Sequence, residues 1–298
     1  MIKRILIPLD GSKLAEQALT PARILVQKIH ATPVLLHIIE KNAPAEVHGQ
    51  KHLQSISQAN SYLENLVKKN PFLKKVSLEI HVHEEEVSHL AQSIIDHALD
   101  YQVDLIILTR HGEGEWKDKV VGSLTRQVIG HGHIPVLLSN ARPDSTAVCS
   151  FDKILLTLDG NSEHDVSEKV AADFASQLNS KMLLLTVVPT FRTLPPDQSP
   201  ASLLLPSATD AMLDISEKSS VEYLKNHIRK LKKLGLNVEG EVERGDPVEC
   251  IVEVATEKDM DLIVLATHGK AGLEAFFAGS VASKVITDSI IPLLLIPV

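Results

Sequence analysis

Apolar and polar positions alternate between two patterns along the chain. Short, nearly continuous apolar runs read as strands buried on both faces, and stretches with apolar residues every three or four positions read as helices. The first strand is expected over Ile2–Leu9, and Ser12 is placed to cap a helix carrying Leu14, Ala18, Ala22 and Leu25. Strands follow at Pro33–Ile39, Val76–Val82, Asp104–Thr109 and Pro135–Ser139. Helices are expected around 50–69, over Val87–Tyr101 and over Ser123–His131. The plan then restarts, with strands at Lys153–Leu158, Met182–Val188, Asn237–Glu243, Asp261–Leu265 and Leu293–Pro297. Helices run to about Asn179, over 209–234, from Pro247, and over Val281–Asp288. Between them, residues 189–206 hold five prolines and read as an irregular excursion.

The restart is an internal duplication. Leu9-Asp10-Gly11-Ser12 recurs as Leu158-Asp159-Gly160-Asn161, and Gly112, Gly122 and Pro135 recur as Gly269, Gly279 and Pro292. A polar stretch at 140–150 with Pro143 separates the copies, giving domains 1–142 and 151–298. Alternating strands and helices predict an α/β architecture: two tandem, open, five-stranded parallel sheets with helices on both faces. Ligands in such sheets bind beyond the carboxyl ends of the strands.

Each copy carries a glycine-bearing loop between a strand and a helix. In the second copy it runs Ala266-Thr-His-Gly269, nine residues, Gly279-Ser280. In the first it runs Thr109-Arg-His-Gly112, nine residues, Gly122-Ser123. Unpaired backbone N–H groups and the helix dipole make such a turn receptive to anions, and glycine admits close backbone approach. The first copy's loop is acidic, Glu113-Gly-Glu115-Trp-Lys-Asp118, where the second has Lys270 and Glu274. A carboxylate 4 Å from a phosphate charge costs about 1 kcal/mol in water and about 4 kcal/mol at an effective dielectric of 20. Magnesium would reverse the sign.

Composition narrows the partners. Residues 1–150 carry 16 basic and 16 acidic side chains; residues 151–298 carry 14 and 22, the source of the net charge of −8. That balance argues against a nucleic-acid-binding face. No apolar run is long enough for a membrane span, the N-terminus has no signal-peptide layout, and two cysteines form no disulfide framework, so a cytoplasmic protein is expected.

On these residues the chain resembles the universal stress protein family in its tandem form. The resemblance covers essentially the whole chain. It implies a Rossmann-like, adenine-nucleotide alpha-hydrolase-like fold and a Gly-x2-Gly-x9-Gly-Ser/Thr signature that holds ATP. The second copy reads Ala266-x2-Gly269-x9-Gly279-Ser280 and departs only at its first position. By resemblance, its nucleotide site comprises Thr157, Leu158, Asp159, Val187, Ala266, Gly269, Gly279, Ser280 and Val281. The first copy's counterpart comprises Pro8, Leu9, Asp10, Thr109, Gly112, Gly122 and Ser123. Gly245-Asp246-Pro247 matches a family habit at the start of the third helix, where the first copy has Ser88. The family's fifth strands often pair two domains; here Pro135–Ser139 and Leu293–Pro297 would pair within one chain as a pseudo-dimer, with a homodimer as a further option.

The resulting expectation is a stress-response protein binding ATP, with or without magnesium, or AMP or ADP, mainly in the second domain as a regulatory ligand. A scaffold without nucleotide and a slow magnesium-dependent ATP hydrolase are the alternatives. No catalytic residue is assigned, because no Ser-His-Asp order, HExxH, CxxC or Walker motif occurs. Asp10 and Asp159 also suit Asx-turns, Ser280 a helix cap, and His111 and His268 loop-shaping hydrogen bonds. His81-Val-His83 followed by Glu84-Glu85-Glu86 looks like a metal cluster, with 81 and 83 on one strand face, but no cysteine joins it and a solvated edge is the preferred reading, so no metal ligand is assigned. Gly130-His131-Gly132-His133 reads as a helix end, and Lys225–Lys233 as a solvated basic face.

Overall fold

The computed structural model describes residues 1–41, 46–47, 50–110, 122–140, 150–161, 166–194, 204–267 and 280–298. The first half contains strands β1 (Arg4–Pro8), β2 (Thr32–Glu40), β3 (Glu46–Val47), β4 (Gln50–Lys51), β5 (Glu79–Val87), β6 (Leu105–Arg110) and β7 (Val136–Asn140). Its helices are α1 (Lys13–Glu16), α2 (Leu19–Ile29), α3 (Ile56–Lys69), α4 (Leu90–Asp100) and α5 (Ser123–His131). The second half contains β8 (Lys153–Thr157), β9 (Lys181–Val188), β10 (Asn237–Arg244), β11 (Leu262–Thr267) and β12 (Leu293–Pro297). Its helices are α6 (Val166–Leu178), α7 (Pro206–Lys233), α8 (Pro247–Glu257) and α9 (Val281–Asp288).

Within each half the main strands are parallel and ordered alike: β5-β2-β1-β6-β7 in the first and β10-β9-β8-β11-β12 in the second. The two five-stranded sheets do not stand apart. β12 pairs antiparallel with β7, Leu293 opposite Leu138 and Leu295 opposite Val136, which makes one ten-stranded sheet. The pseudo-dimer expected from the fifth strands is therefore the observed arrangement.

Strand periodicity feeds two cores, one on each face of this sheet. Ile5 and Ile7 point to one face with Leu25, Leu63, Phe151, Phe174, Val264 and Leu294; Leu6 points to the other with Ile106, Val128, Leu155, Ile263 and Val285. Both clusters hold residues from both halves. Polar ties cross as well. The Ile2 N–H donates to Gln177 Oε1 at 2.8 Å, and Lys28 pairs with Asp152 at 2.9 Å. The buried Arg110 guanidinium donates to the Ser289 carbonyl and to Asn140 Oδ1.

The duplication extends to backbone detail. Left-handed residues follow equivalent helices: His30 (φ 56°) after α2 and Asn179 (φ 57°) after α6, then Gln102 (φ 50°) after α4 and Asp259 (φ 51°) after α8. Asp104 Oδ2 accepts from the N–H of Lys3 and Arg4, and Asp261 Oδ2 accepts from that of Lys153. The same carboxylate thus ties the base of the same two neighbouring strands in each half.

Three expectations change. The helix expected from residue 50 begins at Ile56, capped by Ser55, and a short β3–β4 hairpin precedes it. The strand expected over Val76–Val82 runs Glu79–Val87, and its helix starts at Leu90; an edge strand bonds on one side only, so Glu84 fits there without burial. The first helix breaks after Glu16, because Pro21 cannot donate an N–H to the Gln17 carbonyl; Thr20 N–H bonds that carbonyl instead at 3.1 Å. Among the described residues no helix is long and apolar enough to cross a membrane.

Candidate functional site

In each half the chain leaves the central strand toward one flank and the fourth main strand toward the other. The switch points therefore lie between β1 and β6, and between β8 and β11. Of the residues assigned from sequence, Thr157, Leu158 and Asp159 lie at or just past the end of β8 and Ala266 near the end of β11, while Pro8, Leu9, Asp10 and Thr109 hold the corresponding ends of β1 and β6.

In the second half, Thr157 closes β8 and its hydroxyl donates to the Val264 carbonyl at 3.3 Å, across to β11. Leu158 is buried, and its N–H donates to the Leu185 carbonyl of β9 at 2.9 Å. Asp159 is exposed and makes an Asx-turn, accepting from Asn161 N–H at 3.0 Å. Gly160 has φ +79°, and a Cβ there would meet nothing within 4 Å among the described residues. Val187 is the penultimate residue of β9, and Ala266 lies near the end of β11. Ser280 caps α9, its Oγ accepting from Ser283 N–H at 3.2 Å, and Val281 opens the helix half-exposed. Two further hydroxyls at these strand ends, those of Thr186 and Thr267, are buried without a hydrogen-bond partner among the described residues. Buried hydroxyls normally have one. Strand-end threonines are common, so nothing in the sequence singled them out.

The first half holds the same frame with a different filling. Pro8 ends β1, and Leu9 N–H donates to the Leu36 carbonyl at 2.8 Å. Asp10 Oδ1 accepts from Ser12 N–H at 2.8 Å, and Ser12 caps α1. Gly11 has φ +92°, but here a Cβ would meet Leu53 Cγ at 3.0 Å. Gln50 Oε1 accepts from Lys13 N–H at 2.7 Å, and His52 is buried with its ring 6.4 Å from that of His37. Residues 50–53, ahead of α3, thus lie over the first turn, whose counterpart in the second half meets nothing within 4 Å among the described residues. The Thr109 hydroxyl lies 3.4 Å from that of Ser139, Gly122 caps α5 without a side-chain bond, and Ser123 is exposed at its first position. This cover was not legible in the sequence, where residues from 50 onward carried a helical period.

Gly112, Gly269 and Gly279 lie outside the described residues, as do His111, His268, Lys270, Glu274 and the acidic stretch Glu113–Asp118. At the third-helix start, Asp246 caps α8 by accepting from Val248 N–H and Glu249 N–H, with Pro247 in the first turn. A Cβ at Gly245 would sit 2.7 Å from Cys250 Sγ, so that side chain would have to shift to admit one. Of the basic face, Lys230 reaches the buried Glu168 of α6 at 2.6 Å.

A second group of side chains gathers elsewhere. His81 and His83 share one face of β5, and the helical period of α4 brings His97, one turn beyond Ser93, against them. The His81 and His97 Nε2 atoms are 3.2 Å apart. Burial, and then the neighbouring His97 and His83, lower the His81 imidazole below its ordinary pKa. The expected solvated edge is thus an edge strand whose two histidines face a third, and His97 was not foreseen.

The universal stress protein family model matches this chain twice, over residues 1–140 and 150–297. The chain belongs to the universal stress protein family. It is a tandem member: single-copy relatives align with one half at a time. Universal stress protein MJ0531 of Methanocaldococcus jannaschii is 29% identical over 147 residues, which are 49% of this chain and 82% of that protein. A universal stress protein of Mycolicibacterium smegmatis is 22% identical over 221 residues, 74% of this chain and 69% of that one. A solved universal stress protein from Archaeoglobus fulgidus superposes on 99% of this chain and 96% of its own at a TM-score of 0.64 and 15% identity. The functionally unknown protein PA1789 of Pseudomonas aeruginosa does so over 99% and 92%, at 0.65 and 19%. At these identities the structural likeness establishes the shared tandem fold of a universal stress protein.

Proposed function

We propose that this stress-response protein binds an adenine nucleotide, ATP with or without magnesium, or AMP or ADP, in the second half as a regulatory ligand. The site comprises Thr157, Leu158, Asp159, Val187, Ala266, Gly269, Gly279, Ser280 and Val281. The observation that carries this reading is the contrast between the two Asp-Gly turns. Gly160 faces open space among the described residues, whereas Gly11 is closed off by Leu53. The nucleotide sits across β8 and β11, its phosphates against the start of α9, where backbone N–H groups and the helix dipole favour an anion. In the first half, Pro8, Leu9, Asp10, Thr109, Gly112, Gly122 and Ser123 keep the frame without taking the ligand. The domains are 1–142 and 151–298, the protein works in the cytoplasm, and any homodimer uses surfaces other than β7 and β12, which already pair with each other.

The test is calorimetric titration of ATP and of AMP, with magnesium, into the purified chain. One site, lost in Gly279→Asp, is the expected result. Two sites would overturn the assignment to the second half alone. Absence of heat, with no nucleotide copurifying, would overturn the reading in favour of a scaffold. Steady phosphate release, lost in the same variant, would make the protein a hydrolase.

A further inference from the structure

We infer that His81, His83 and His97 form a binding site for a divalent transition-metal ion of the zinc type, joining the edge strand β5 to helix α4. The inference is independent of the nucleotide reading.

Four observations converge on it. First, one nitrogen from each of the three imidazoles lies within 4.8 Å of the other two. Second, His81 Nε2 and His97 Nε2 are 3.2 Å apart. Two imidazole nitrogens about 2.0–2.1 Å from a tetrahedral zinc ion sit roughly 3.3 Å from each other, so this pair already has the spacing of two ligands. Third, His97 is oriented from behind. Its Nδ1 lies 2.6 Å from the Ser93 carbonyl, which can only accept, so Nδ1 carries the proton and Nε2 presents its lone pair. A ligating histidine held by a backbone carbonyl through its other nitrogen is the usual outer-shell arrangement of metal sites. Fourth, the cluster is reachable. His81 and His83 are half-buried, and the three rings line a pocket of 740 Å³ with Asp96, Asp100 and Tyr101.

Local sequence accounts for the convergence. A strand sends residues two apart to one face, so His81 and His83 align. The His83 ring meets the His97 ring edge-on at a centroid distance of 4.8 Å. His83 closes onto the ion by side-chain rotation, which an edge strand permits. Without metal, the 3.2 Å contact is a single N–H···N hydrogen bond, with His81 donating to His97. Ligation takes the other neutral tautomer of His81: the proton moves from Nε2 to Nδ1, Nε2 is freed for the ion, and His83 is recruited. Imidazole donors without thiolates favour zinc, nickel, cobalt or copper over magnesium or calcium. Three protein ligands leave a fourth position for water or a pocket anion.

The experiment is titration of zinc chloride alone into the full chain, freed of any histidine tag and chelator-treated, read by calorimetry and thermal unfolding. Expected are one equivalent of bound zinc and a higher melting temperature, since an ion that binds only the folded chain stabilises it. His81→Ala and His83→Ala should each weaken binding by at least about tenfold. Both positions are half-buried on an edge strand, so a circular dichroism spectrum unchanged from the parent separates lost ligation from lost folding. Cobalt should give the visible absorption of a tetrahedral nitrogen site in the parent and lose it in His83→Ala. No saturable equivalent of zinc, or binding left intact in both variants, would overturn the inference.

Discussion

The two Asp-Gly turns offer a direct comparison within one molecule. Gly11 and Gly160 occupy equivalent places, with φ of +92° and +79°. An alanine at either site must hold a left-handed backbone, at a cost of about 1–2 kcal/mol. At Gly160 that is the whole penalty, because a new Cβ meets nothing within 4 Å among the described residues. At Gly11 the Cβ also meets Leu53 Cγ at 3.0 Å and Cδ1 at 3.1 Å, well inside ordinary contact. Overpacking a rigid core costs about 1–3 kcal/mol, and a half-buried Leu53 that can retreat places this case near 1 kcal/mol. Gly160→Ala is therefore expected to cost about 1–2 kcal/mol and Gly11→Ala about 1 kcal/mol more. Equilibrium urea unfolding measures both. Adding Leu53→Ala to each should expose a coupling near 1 kcal/mol with Gly11→Ala and none with Gly160→Ala, well above the additivity error of about 0.3–0.5 kcal/mol. Equal costs at the two glycines, or no coupling to Leu53, would show that the chain before α3 does not lie over the first turn in solution.

Two other perturbations test the frame around these sites. Arg110→Met removes the donor shared by Asn140 and Ser289; Asn140 can turn to water, but the Ser289 carbonyl belongs to a buried residue, so a loss of about 1–3 kcal/mol is expected. An unchanged melting temperature would show that the tie is idle. His37 is buried, and burial outweighs its hydrogen bond to the Leu9 carbonyl, so its pKa lies below the ordinary 6.5; His52 adds to the lowering, and Asp10 and Glu40 oppose it. As pH falls below about 6.5 the unfolded chain takes up a proton that the folded chain refuses, and stability declines until the folded pKa is reached. Urea midpoints measured from pH 7.5 to 5 should fall less steeply in His37→Asn, which keeps a donor but does not titrate; identical slopes would refute the assignment.

Much of this architecture could be read from residue order. The recurrence of Leu9-Asp10-Gly11 as Leu158-Asp159-Gly160, with the glycine spacings, located both switch points, and apolar runs located every main strand of the sheet. What escaped depends on contacts distant in sequence. The β3–β4 hairpin is too short and too polar to show a period. Leu53 looked like any helical leucine until it met Gly11, about forty positions earlier. His97 carried no local signal beyond a helical period, and only the packing of α4 brought it to His81. The extent of β5 escapes because the apolar alternation runs out at Val82, while the sheet edge lets the strand continue through the charged residues that follow.

The antiparallel seam between β7 and β12 has a consequence for how such a chain can diversify. Because the two halves run in opposite directions across it, their strand carboxyl ends, and with them the two crevices, open on opposite margins of the sheet. A symmetric pair of identical chains would have to change both margins together. A fused pair can change one at a time, while the shared core holds both halves in register. The first half can pack Leu53 over its Asp-Gly turn and gather histidines on its own outer strand without disturbing the opposite margin. Fusion here acts as a licence for division of labour.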